Sequence, residues 1–200
     1  MEGSGSAQRT TEYISRWALC LAEANIHFAR ALGASHIGDI DAAKKNLQEL
    51  ESLRDTLVQT NEKYWADQVE IQREIATAWL MLAERKQEEA LRQMRSAAGL
   101  EDGTEKSAVT PGPLAPAREL LGNMLMETKK YAQAFEQFEA TLKTEPGRFR
   151  ALYGAARAAQ LSGNRDASQK YFLELLKVCA STDRPGRSEI IEAQRATSQN

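Results

Sequence analysis

In the second half of the chain, apolar residues fall at the spacing of short amphipathic helices that come in pairs. Leu121 and Leu125 lie one helical turn apart, as do Ala134 and Phe138, and Pro146 follows where a helix has to end. Thirty-four residues later the pattern returns, with Gly122 matched by Ala156, Ala134 by Ser168, Phe138 by Phe172 and Leu142 by Leu176. A period of this length in helix-forming sequence predicts an all-α fold of repeating helix hairpins.

Four hairpins can be placed. The clearest runs over about 114–146 and opens with Pro116 in its first turn, where a missing N–H costs nothing. The next, about 148–181, has Ala155, Ala156 and Ala159 on its first helix, a Gly163-Asn164 break, and then Ser168, Phe172 and Leu175. An earlier hairpin, about 61–98, has Ala78, Met81, Ala90 and Met94 in the equivalent places. The earliest, about 11–60, contains Gly38-Asp39-Ile40-Asp41-Ala42-Ala43, an echo of Gly163-Asn164-Arg165-Asp166-Ala167-Ser168, and Leu47 takes the aromatic's place. Its first helix is expected to reach back to Thr11, whose hydroxyl would cap it, leaving residues 1–10 disordered. Beyond the breaker Asp183-Arg184-Pro185-Gly186, a short terminal helix over 187–198 has Ile190 and Ile191 as its apolar positions.

The clearest hairpin resembles the tetratricopeptide repeat, whose pattern L-G-x-x-Y, A-x-x-x-F, P reads here as Leu121, Gly122, Leu125, Ala134, Phe138 and Pro146, with Arg118 where the pattern has its first tryptophan. The small Gly122 and Ala134 let two helix backbones approach, and Leu121, Leu125 and Phe138 fill the remaining space. The resemblance implies one solenoid over residues 11–198, a right-handed superhelical array of about four antiparallel helix hairpins with a C-terminal capping helix. One irregularity interrupts the period. Between Ala98 and Ala115 the spacing grows to forty-four residues, giving a proline-rich insertion over 99–113 that reads either as a lip beside a binding face or as a tolerated surface loop.

Composition narrows the function. Twenty-six basic and twenty-eight acidic residues, a formal charge of −2, are mixed along the chain with no basic stripe, which argues against a nucleic-acid partner. No apolar run approaches the roughly 18 residues of a membrane span, and the first ten residues lack the features of a secretory signal. The expectation is a soluble chain without a membrane partner, cytoplasmic by default, or periplasmic if residues upstream carry an export signal. Cys20 and Cys179 read as small packed groups, and His27 and His36 stand nine apart, too far for the one-turn pair of a metal site. With no P-loop, H-E-x-x-H or G-x-G-x-x-G motif, no catalytic residue, cofactor or metal is expected, and the chain reads as non-enzymatic.

Function then rests on a surface. On each hairpin's first helix the stripe at positions two, five, nine and twelve is rotated by roughly 100° from the face that meets the partner helix. In tetratricopeptide proteins that stripe lines a concave groove. Here it contributes Phe28 and Leu32, then Gln72, Ile75 and Trp79, then Glu119, Asn123 and Met126, and finally Arg150, Tyr153 and Arg157. The groove so drawn is apolar at one end and cationic at the other. Arg150 and Arg157 would clasp a carboxylate with Tyr153 between them, while Trp79 reads either as a ligand contact or as core. Asn123 and Arg157 match two places of the family's carboxylate clamp for chaperone C-termini, but Glu119 and Tyr153 stand where that clamp has lysines.

The expected partner is another protein, held through an extended or helical segment with apolar and acidic features. Two further readings stay open: a regulatory or substrate-delivery appendage of an enzyme on another chain or on upstream sequence, and a self-associating module that forms a homo-oligomer. From about Trp17 onward the chain also resembles the C-terminal part of longer bacterial tetratricopeptide proteins of unassigned function.

Overall fold

The structure, a computed structural model, describes residues 4–104, 113–180 and 186–198, with side chains from Trp17 onward. The described residues form α1 (Ser4–Ile37), α2 (Ile40–Gln59), α3 (Lys63–Ala83), α4 (Gln87–Gly103), α5 (Ala117–Glu127), α6 (Tyr131–Thr144), α7 (Phe149–Leu161), α8 (Arg165–Val178) and α9 (Ser188–Ser198). The all-α fold of helix hairpins is as the period predicts. Two expectations at the N-terminus are corrected: α1 already runs from Ser4, so residues 4–10 are helical, and Thr11 lies inside the helix with no N-terminus there to cap. Pro116 stands just before α5 as its N-cap residue. Within the stretch expected as an insertion, α4 continues through Gly103, and 105–112, with the expected lip, lie outside the described residues.

Contacts divide the chain into two compact units, Met1–Val109 and Thr110–Asn200. In each, successive helices joined by short turns pack as antiparallel neighbours. The first helices of consecutive hairpins also touch, α1 against α3 and α5 against α7. Among the described residues of each unit, the helices pack on neighbours one or two places away in sequence, the arrangement of a repeat protein.

Five of the turns share one construction. An N–H just past the helix reaches back to a carbonyl in its last turn: Asp39 to Ala34 at 2.9 Å, Glu62 to Leu57 at 2.8 Å, Lys86 to Met81 at 2.9 Å, Lys130 to Leu125 at 2.8 Å and Asn164 to Ala159 at 2.9 Å. The residue before each donor is left-handed, with φ of 77° at Gly38, 60° at Asn61, 67° at Arg85, 59° at Lys129 and 86° at Gly163. At Gly38 and Gly163 the conformation costs little, whereas Arg85 and Lys129 carry a Cβ into it. Asp39 and Asn164 then start the next helix by accepting from the N–H of Ala42 at 3.0 Å and of Ala167 at 3.1 Å. One glycine-then-cap mechanism thus underlies the two echoed segments.

The core of the second unit is built around Phe138, which has 0% exposure. Its ring lies against two glycines: a Cβ added to Gly122 on α5 would lie 2.7 Å from Cε1, and one added to Gly154 on α7 would lie 2.5 Å from Cζ. Neither methyl could be accommodated without moving a fully buried ring. In the first unit Ala78, Ala90 and Met94 are buried in the corresponding places, and Leu47 packs partly buried against Ala34, Ala43 and Leu80. A charged network joins α2 to α3. Arg73 donates to Glu70 at 2.6 and 2.9 Å and Arg54 adds a bond at 3.0 Å, so the Glu70 carboxyl is held below its ordinary pKa, chiefly by the Arg73 hydrogen bond.

Overpacking at this wedge predicts that Gly154→Ala lowers the unfolding free energy of the second unit by about 1–3 kcal/mol. A smaller partner, Phe138→Leu, should recover part of that loss, and a urea-denaturation double-mutant cycle showing strict additivity would contradict the contact. The turns make a prediction of opposite signs: Lys129→Gly raises the thermal midpoint, worth about 0.5 kcal/mol, and Gly163→Ala lowers it by about 1 kcal/mol.

Candidate functional site

Helix α7 forms because an alanine-rich run lets it pack closely, with Ala151, Ala155, Ala156, Ala158 and Ala159 all buried at its contacts. Its remaining stripe carries Arg150, Tyr153 and Arg157, spaced so that they follow one another along one side. Arg150 is exposed, and Tyr153 and Arg157 are half-buried. Of the predicted Arg150–Arg157 clasp with Tyr153 between, Tyr153 and Arg157 are engaged by a carboxylate of the same chain, and Arg150 is not. Tyr153 donates its hydroxyl to Glu192 Oε2 at 2.6 Å, and Arg157 Nη1 lies 2.9 Å from Glu192 Oε1 and also donates to Gln160 at 2.7 Å. Glu192 is on α9, which packs on α8 and buries Ile190 and Ala193. The Tyr153 ring also meets Phe172 edge-on, with centroids 6.4 Å apart. Burial first, and then the hydrogen bond to Glu192 and its charge, push the Tyr153 phenol up to about 12, with Arg157 opposing.

The other predicted residues on this unit divide. Asn123 and Met126 are half-buried on α5. Glu119 is corrected from groove to core: at 1% exposure it accepts from Arg148 Nε at 2.7 Å and from Nη2 at 3.3 Å. Arg148 also donates to Glu145 at 2.9 Å and to the Leu114 carbonyl at 2.8 Å. Such a buried carboxylate survives only because its charge is matched and its oxygens are bonded. At this burial its oxygens are not presented to a ligand on an open face.

On the first unit the α1 and α3 stripes do adjoin, since Gln72 on α3 donates to Asn25 on α1 at 2.8 Å. Leu32 and Gln72 are half-buried and remain partly accessible. Phe28 at 8% and Ile75 at 1% exposure are corrected to core residues, and Trp79 at 3% takes the core reading of its two, because these side chains are covered where α1 packs against α3. His36 stacks at a tilt on Trp79, with ring centroids 4.3 Å apart. Gln72 Oε1 and Trp79 Nε1 are buried without a hydrogen-bond partner among the described residues.

Two of these partnerships lacked a signal strong enough to be read from the sequence. Glu192 was one polar residue among many in a terminal helix, and the Glu119–Arg148 pair spans 29 positions with no local pattern to join them. Gly154 could have been noticed as the glycine in an alanine-rich helix.

Fold and site together define an all-α helical-hairpin protein with a cationic, carboxylate-holding stripe on the first helix of its last hairpin. No family model matches the chain, and no curated protein sequence matches it. Among solved structures it is similar to the crystal structure of MamA protein, at 17% identity, with 83% of this chain and 97% of that chain covered and a TM-score of 0.48. Among the described residues, no helix is long and apolar enough to cross a membrane.

The phenol supplies a pH test. Its folded pKa lies above the ordinary value of 10.0, so its contribution to α9 docking is complete below pH 10 and is lost as the pH rises through about 12. A difference titration of phenolate absorbance, wild type minus Tyr153→Phe, should show one phenol ionising near pH 12, and Glu192→Gln should bring that step partway back toward 10.

Proposed function

We propose that this chain is a non-enzymatic scaffold that binds another protein through a segment presenting a carboxylate and apolar side chains to α7. The observation that carries this reading is the seat of Glu192, whose two oxygens are held by the Tyr153 hydroxyl and the Arg157 guanidinium. This pair takes a carboxylate borne on a helix, with apolar Ile190 two positions before it. Arg150, one turn before Tyr153, extends the positive stripe into solvent. Exchange is energetically accessible: Arg157 and Glu192 are 33% and 35% exposed, and such partly solvated pairs contribute about 0.2–1 kcal/mol. A partner carboxylate that reproduces the two bonds can therefore replace Glu192 at small net cost. On the first unit, Leu32 and Gln72 offer a smaller, mainly apolar contact, and Asn123 and Met126 do the same on the second.

A labelled synthetic peptide of residues 188–198, added to full-length protein, probes the exchange by fluorescence anisotropy. Glu192→Gln should bind it more tightly than the wild type, and an Arg150→Glu, Arg157→Glu double variant should not bind it. In native lysate the same double variant should lose the partners that the wild type captures. Equal capture by both would remove the cationic stripe from the binding site.

A further inference from the structure

The buried side of α1 is defined by Ala24, Phe28, Ala31 and Ser35. Opposite it, along the solvent side, run Leu19, Ala22, Ile26, Ala29 and Gly33, alternating three and four residues apart, the spacing of a helix seam that meets another helix, and Ile37 follows four residues further on. Leu19 is 62%, Ile26 50% and Ile37 81% exposed, and the stripe is about 27 Å long at 1.5 Å per residue. A fixed apolar stripe of this length is not what a solvated helix face requires.

Two further observations bear on what would fit against it. Gly33 is a poor helix former placed inside a helix, and nothing in the chain comes within 4 Å of where its Cβ would be. Its missing side chain therefore serves no contact within the described residues, but it would admit a close neighbour from outside. Glu23 and Arg30 flank the stripe on the same edge, seven residues apart and both exposed, and neither forms an ion pair among the described residues. Opposite charges at that spacing suit an antiparallel copy of the same helix: each Glu23 meets the Arg30 of the second copy, twice over by symmetry. The same register places Ile26 against Ala29 and Ala22 against Gly33, large against small and small against smallest. A parallel pairing leaves both charges without an opposite partner.

We propose that the solvent face of α1 is a self-association surface, on which a second copy of this chain docks antiparallel through Ile26 and Gly33 with reciprocal Glu23–Arg30 ion pairs. The contact is two-fold and closed, so it yields a dimer and not a filament. It lies on the first unit and does not depend on the carboxylate seat of α7.

Sedimentation equilibrium of the full chain over rising concentration tests the proposal. The wild type should be a reversible dimer. Ile26→Asp, at a position that is half exposed and so harmless to folding, should raise the dissociation constant roughly a hundredfold or more, because both copies lose the contact. Gly33→Leu should do likewise while circular dichroism shows helicity retained or increased. Glu23→Arg should weaken the dimer, and Glu23→Arg with Arg30→Glu should restore it. A wild type that stays monomeric throughout overturns the proposal and leaves the stripe to a different partner. A dimer indifferent to Ile26→Asp, or a charge reversal that the double swap fails to restore, overturns it as well.

Discussion

The placement of one phenylalanine ring governs the second unit. Phe138 fills the space that side chains on Gly122 and Gly154 would otherwise occupy, so the ring sets how near α5 and α7 come to α6. Interiors are packed closely enough that this one contact fixes neighbouring positions as well. Tyr153 is bonded to Gly154 in sequence, and Arg157 follows one turn later, so the direction in which both project is set by the wedge. The carboxylate seat is therefore a consequence of core geometry. A change in the core three helices away from α9 would be felt there through the position of α7.

Charge is used differently at two places on the same unit. Between α5 and the start of α7, Glu119 and Arg148 are matched in a nearly dry environment, where the cost of burying a charge is repaid by the several bonds each group makes. Between α7 and α9, Glu192 and Arg157 meet in partial solvent, where an ion pair contributes little. The first arrangement joins elements permanently. The second, under our proposal, is a binding site whose own chain supplies the occupant. The stripe on α1 adds a third use of surface, apolar residues left outside with opposite charges at its edge.

The helices, their hairpin pairing and their turns were legible in the sequence because each depends on forces acting within a few residues. Apolar spacing selects the helical face, a left-handed residue followed by Asp39 or Asn164 ends one helix and begins the next, and the 34-residue recurrence shows that the unit repeats. The start of α1 at Ser4 was not legible, since the first ten residues carry no apolar period to announce a helix. The stripe on α7 was also legible, as a matter of helical geometry alone.

What only the tertiary structure decided is which of those stripe residues stay available. Phe28, Ile75, Trp79 and Glu119 have the same register as Leu32, Asn123 and Tyr153, yet the approach of neighbouring helices buries the first group and spares the second. The occupant of the cationic pair, Glu192, comes from 39 positions beyond Tyr153, a separation at which no local pattern survives. Sequence periodicity fixes the direction of a side chain on its own helix. Exposure and partnership depend on how far away the next helix lies, and that distance is set by side chains such as Phe138 that belong to other segments.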